Sequence, residues 1–262
     1  MHIFDKDTDL TETAPSVFTG AISKNWLINK NPNGGYLMAI LARAMTEKSE
    51  RKLTPIITAN YISRCRPGEV EVRVEEISVS KQFNRYEASL FQDGAEKIRA
   101  FGTFANGNIE CAINRNETSA PVLAAREDCV GMPPIPGYTV FDNLELLLDP
   151  PYAGWLQGKR IETSENRGWF RFREMRQHDI FSVLQIIDSM PPAAFASQGV
   201  TAWVPTIELS VSIRSIPETE WLRCSLETRH ITCGLLEADG EVWDESGNLV
   251  AISRQIAQFR AQ

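Results

Sequence analysis

One pattern constrains this chain more than any other: an apolar helix followed by a run of alternating, antiparallel-type strands occurs twice. In the first half, Tyr36/Leu37, Ile40/Leu41 and Ala44/Met45 recur at helical steps over Asn33 to Lys48, just after the turn-forming Asn31-Pro-Asn-Gly-Gly35. Strand-like runs follow at Thr58 to Arg64, Glu69 to Val79, Arg85 to Gln92 and Lys97 to Phe104, the last two flanking the hairpin signal Asp93-Gly94. Val70, Val72 and Val74 alternate with Glu71, Arg73 and Glu75, which predicts one buried and one wet face. The phase slips at Glu75-Glu76, which predicts a bulge or bend. In the second half, a strand at Trp169 to Arg173 precedes a helix at Asp179 to Ser189. Strands are then predicted at Trp203 to Arg214, Trp221 to Ile231, Leu235 to Trp243 and Leu249 to Phe259.

A single helix on a curled antiparallel sheet leaves an open sheet edge, and a duplicate of the unit supplies the partner that closes it. The expected organisation is therefore a first repeat over residues 1–110, a linker over 111–138 and a second repeat over 139–262. The linker reading rests on Gly131-Met-Pro-Pro-Ile-Pro-Gly137, whose prolines remove backbone donors and fix an extended path.

The 262 residues carry 27 Lys+Arg against 34 Asp+Glu, a net charge of −7 with no basic run, so a nucleic-acid partner is not expected. The longest apolar stretches, such as Ile180 to Ile187, are far too short to span a bilayer, and the polar, acidic N-terminus does not read as an export signal. A cytoplasmic location without membrane contact is the expectation. Five cysteines (Cys65, Cys111, Cys129, Cys224, Cys233) never fall as C-x-x-C, so reduced thiols are expected rather than disulfides or a zinc site. No nucleophile elbow, dinucleotide loop or H-E-x-x-H motif is present. His178-Asp179 reads more readily as a helix cap than as a catalytic dyad.

Four segments in this order, Asn31-Pro-Asn-Gly-Gly-Tyr-Leu-Met-Ala-Ile-Leu-Ala-Arg-Ala44, Tyr61-Ile-Ser-Arg-Cys-Arg-Pro-Gly-Glu69, Trp203-Val-Pro-Thr-Ile-Glu-Leu209 and Gly247-Asn-Leu-Val-Ala-Ile-Ser-Arg-Gln255, resemble the double hot-dog acyl-CoA thioesterases, the group that includes bacterial thioesterase II. The resemblance implies an α+β fold of two hot-dog repeats, each a long helix wrapped by an antiparallel sheet, joined into one continuous sheet. It implies an acyl-CoA substrate of fatty acid metabolism, no metal or other cofactor, and a homo-oligomer of two or more copies. It also implies a catalytic set of an Asp on the second helix, a Thr at the start of the next strand and a Gln on the last strand, here Asp188, Thr206 and Gln255.

Read without the family, these residues keep other meanings. Asp188 ends an apolar helix, where the negative end of the helix dipole and Phe181, Leu184 and Ile187 raise a carboxyl pKa; an exposed or capping Asp is the alternative. Gln255 shares parity with the small Ala251, Ser253 and Ala257, which leaves room for a long amide, or it faces solvent. Thr206 conflicts with the site, since simple alternation sets it with Glu208, Ser210 and Ser212, opposite the apolar Ile207, Leu209, Val211 and Ile213, unless Pro205 delays the regular strand to Ile207. Gly34-Gly35 opens the first helix, either as a permissive turn or as amide donors for an oxyanion in substrate binding. Trp203 is expected to line the acyl pocket through its proximity to Thr206. Rival readings are a hot-dog hydratase, a non-catalytic acyl-CoA or acyl-carrier binder, and a purely structural protein.

Overall fold

A computed structural model describes residues 1–105 and 113–261 of the chain. Fourteen strands form one antiparallel sheet: β1 (Thr11–Ala14), β2 (Val17–Ile22), β3 (Leu53–Tyr61), β4 (Gly68–Val79), β5 (Phe83–Gln92), β6 (Ala95–Ala105), β7 (Val130–Gly131), β8 (Leu144–Leu148), β9 (Ser164–Phe172), β10 (Thr206–Ile213), β11 (Leu222–Thr228), β12 (Ile231–Thr232), β13 (Leu235–Asp244) and β14 (Leu249–Gln258). Their spatial order is β1-β2-β4-β5-β6-β3-β10-β14-β13-β11-β9-β8-β7, with β12 paired to β13. The order reads the same outward from its middle, because β3 and β10, the first strands of this sheet after the main helix of each repeat, pair with each other. At this seam Thr58 opposes Ser210, and their hydroxyls hydrogen-bond at 2.9 Å.

Among the described residues, five α-helices accompany the sheet: α1 (Ile3–Asp7), α2 (Gly34–Lys48), α3 (Val140–Asn143), α4 (Ile180–Ile187) and α5 (Ala194–Gln198). Asn33 caps α2 by accepting from Tyr36 N–H at 3.0 Å, and the helix is then buried almost all round from Gly35 to Ala42 because the first repeat's sheet curls about it. Helix α4 starts on a capping box between Asp179 and Ser182, so the cap is Asp179, while His178 is held by Ser182 Oγ and Glu220 O. It ends at Asp188, ahead of Pro191-Pro192. Helices α2 and α4 pack side by side beneath the seam. The approach depends on Gly35, since a Cβ there would lie 2.3 Å from Leu184 O.

The duplicated sheet and the alternation of β4 match the sequence reading: Val70, Val72 and Val74 are buried, and the register slips between Glu76 and Ser78. Asp93 (φ 54°) and Gly94 (φ 73°) make the β5–β6 turn in the left-handed region that a tight hairpin requires. Three expectations change. The strand expected to end at Arg64 stops at Tyr61, where Ile62 and Ser63 both donate to Lys97 O and turn the chain away. The strand expected from Trp203 is broken at Val204-Pro205, where proline offers no N–H, so β10 begins at Thr206. Within the expected linker, Val130–Gly131 forms edge strand β7 against β8. Cys65 and Cys224 are buried and unpaired, Cys129 and Cys233 are also free, and Cys111 lies outside the described residues.

Candidate active site

The C-terminal end of α4 points its last side chain, Asp188, at the N-terminal end of α2. Gly35 N–H donates to Asp188 Oδ2 at 2.8 Å, and Asn33 Nδ2 donates to Asp188 O at 3.0 Å and to Oδ2 at 3.3 Å. Burial raises the Asp188 carboxyl from its ordinary range to about 7, while the amides of Gly35 and Gly34 pull the other way by stabilising the anion. The positive end of α2 thus faces the carboxylate carried by the negative end of α4.

Gln255, on β14, reaches the same carboxylate from the sheet. Its Nε2 donates to Asp188 Oδ1 at 3.0 Å and to Thr206 Oγ1 at 2.6 Å, so one amide nitrogen ties the other two groups together. The neighbours of like parity, Ala251, Ser253 and Ala257, are all buried on that face. Thr206 reaches it by a bulge. Thr206 pairs with Ala257 but Glu208 with Ile256, which leaves Ile207 as the extra residue, and that shift puts Thr206 on the same face as Leu209, Val211 and Gln255. Ile207 is 41% exposed as a result. The parity conflict in the sequence was a real signal, of a bulge rather than of an outward threonine.

The glycine pair lies against Asp188. Gly35 N–H is engaged by Asp188, and a Cβ on Gly34 would stand 2.8 Å from Asp188 Oδ2 and 3.0 Å from the Tyr61 hydroxyl. The helix start therefore holds the carboxylate. Two neighbours escaped the sequence reading. Tyr61 donates its hydroxyl to Gly34 O at 2.7 Å and is kept neutral, first by burial and then by the nearby Asp188 charge. Asn33 is buried and bonds both helices. Its position inside Asn31-Pro-Asn-Gly-Gly35 is the available signal, which by sequence reads only as a turn.

A cavity of about 700 Å³ opens at these groups and is lined from both repeats. Polar and charged residues, among them Asn31, Ser63, Arg64 and Arg260, occur in its wall together with an apolar set that includes Phe141, Trp155, Leu156, Met190, Phe195 and Leu226. Trp203 lines it too, on a two-residue strand paired with Arg260–Ala261. Met132, Pro133, Ile135 and Tyr138 also line it, so the proline-rich segment is a wall of the cavity as well as a connection. Among the described residues, no group of three or more His, Cys, Asp and Glu side chains could hold a metal ion.

Two hot-dog repeats fused through one sheet, with a half-buried acid, hydroxyl and carboxamide opening on a largely apolar cavity, define a thioester hydrolase of the double hot-dog class. Residues 22–105 match the profile of the acyl-CoA thioesterase N-terminal domain and residues 126–259 that of the C-terminal domain; the chain belongs to the acyl-CoA thioesterase family. Relatives include an uncharacterized protein of Mycobacterium tuberculosis, 24% identical over 98% of this chain and 95% of its own length. The crystal structure of a protein assigned as a thioesterase II from Thermobifida fusca superposes with a TM-score of 0.91 at 22% identity, covering 99% of this chain and 98% of that one. That of an acyl-CoA thioesterase II from Mycobacterium marinum gives 0.80 at 14% identity, covering 99% and 98%. A hot-dog protein of unknown function from Alicyclobacillus acidocaldarius gives 0.89 at 17% identity, covering 100% and 99%.

Proposed function

We propose that the enzyme hydrolyses fatty acyl-CoA thioesters to the free acid and coenzyme A, with a water molecule held by Asp188, Thr206 and Gln255 as nucleophile. The observation that carries this reading is the single Gln255 Nε2 donating at once to Asp188 and Thr206 at the mouth of an apolar cavity. With its nitrogen fixed this way, Gln255 keeps its Oε1 to accept from water. Thr206, which accepts from Gln255, keeps its own proton to donate to the water oxygen.

Water attacks the thioester carbonyl carbon as Asp188 takes its proton; a carboxylate titrating at about 7 is matched to that task near neutral pH. The tetrahedral intermediate forms close to the positive end of α2, which stabilises negative charge developing there. Collapse breaks the C–S bond, and the proton held by Asp188 passes to the departing thiolate. The apolar set around Trp155 and Phe195 is suited to an alkyl chain.

Thiol release from a chain-length series of acyl-CoAs tests the reading. Turnover with a defined length optimum is expected, lost in Asp188→Asn. Ligand-induced thermal stabilisation without thiol release would identify a binder instead.

A further inference from the structure

We propose that Asn33 is a positioning residue for Asp188, holding the carboxylate of the second repeat in its reactive orientation from the first repeat. This rests on the assignment of Asp188 as the base. The side-chain amide of Asn33 is buried, and every contact on it fixes which way it faces. Its Oδ1 accepts from the backbone N–H of Tyr36 at 3.0 Å, a group that can only donate, and from Gln185 Nε2 at 3.0 Å, so its Nδ2 faces Asp188. There it donates to the backbone oxygen at 3.0 Å and to Oδ2 at 3.3 Å.

Capping alone does not account for this. A helix cap uses only Oδ1, as serine or aspartate would, whereas the Nδ2 contacts serve only the residue that ends α4. Gln185, fully buried on α4, gives its two amide protons to Asn33 Oδ1 and to Ser189 Oγ (2.8 Å), and its Oε1 has no partner among the described residues. A buried acceptor left unpaired is unfavourable for folding, so this network orients Asn33 at the expense of complete pairing. The other groups near Asp188 are Gly34, Gly35, Thr206 and Gln255, all neutral, with Tyr61 from β3; Cys65, beyond that strand, lies in the cavity wall. Arg64 is a further charge in the cavity wall.

Two variants separate cap from positioning. Asn33→Ser keeps a capping oxygen and loses the donor. Asn33→Asp keeps the shape, the cap and the acceptor for Gln185, and sets a second carboxyl against the first. For both we expect a thermal midpoint near that of the wild type, a kcat lower by tenfold or more with little change in KM, and an acid limb of the pH–rate profile displaced upward, further in Asn33→Asp than in Asn33→Ser. Carboxyl ¹³C NMR of Asp188 in the same proteins reads the displacement without substrate, so it stands even if acyl-CoA turnover fails. Wild-type kcat and an unmoved Asp188 titration in Asn33→Ser would overturn the proposal. So would a loss of activity that only follows a loss of thermal stability. If the titration moves as expected while the wild type releases no thiol, the positioning holds and the hydrolase reading fails.

Discussion

Gly35 N–H lies 2.8 Å from Asp188 Oδ2, a bond between the first turn of one repeat's helix and the residue that caps the end of the other's. The amide is free because the first turn of a helix has no intrahelical acceptor for it, and the carboxylate arrives because α4 stops at Ile187. Most of the site's behaviour follows from that meeting of opposite helix ends.

Asp188→Asn retains shape and removes the proposed base. A fall in kcat of about 10² to 10⁴ is expected in a thiol-release assay at saturating acyl-CoA, the range that loss of general base catalysis usually gives.

The pH profile should follow the same group. Because Asp188 titrates at about 7, kcat/KM should fall with unit slope as pH drops below that point and level off above it. Stability runs the opposite way. The folded carboxyl holds its proton more tightly than the unfolded one, so its stabilising contribution is complete below about 4, the unfolded value, and is lost as pH rises through about 7. Asp188→Asn should therefore be more stable than the wild type at pH 8, by on the order of 1–3 kcal/mol, with the difference closing toward pH 4; denaturant melts at several pH values measure it.

Adding one methyl at each of two adjacent glycines should have different consequences. Gly34→Ala meets Asp188 Oδ2 and the Tyr61 hydroxyl, side-chain atoms that can move, so activity should drop with a modest change in melting temperature. Gly35→Ala meets Leu184 O at 2.3 Å, a backbone atom of the packed partner helix, and should destabilise by about 1–3 kcal/mol or more as the helices are forced apart.

Phe195 packs its ring 5.7 Å from Trp155 in the cavity wall. Phe195→Ala opens that part of the wall, and the optimum in an acyl-CoA length series should move to longer chains; an unchanged optimum would place the alkyl chain elsewhere.

The residues themselves determined the duplicated helix-and-sheet architecture, since the spacing of Tyr36, Ile40 and Met45 and the alternation of Val70, Val72 and Val74 follow from burying one face of each element. Asp93-Gly94 and the break before Thr206 were equally local, because left-handed turns and prolines act on their own backbone. The resemblance supplied Asp188, Thr206 and Gln255, which the fold brings into one hydrogen-bonded group. What the chain order could not carry was the pairing of distant ends. That Gly35 meets Asp188 across 153 positions, that Asn33 faces it, that Ile207 bulges to turn Thr206 inward and that Met132 to Tyr138 wall the cavity all depend on how the two repeats dock. Periodicity reports which face of an element is buried, whereas the partner buried against it is chosen by packing between segments that the sequence keeps far apart.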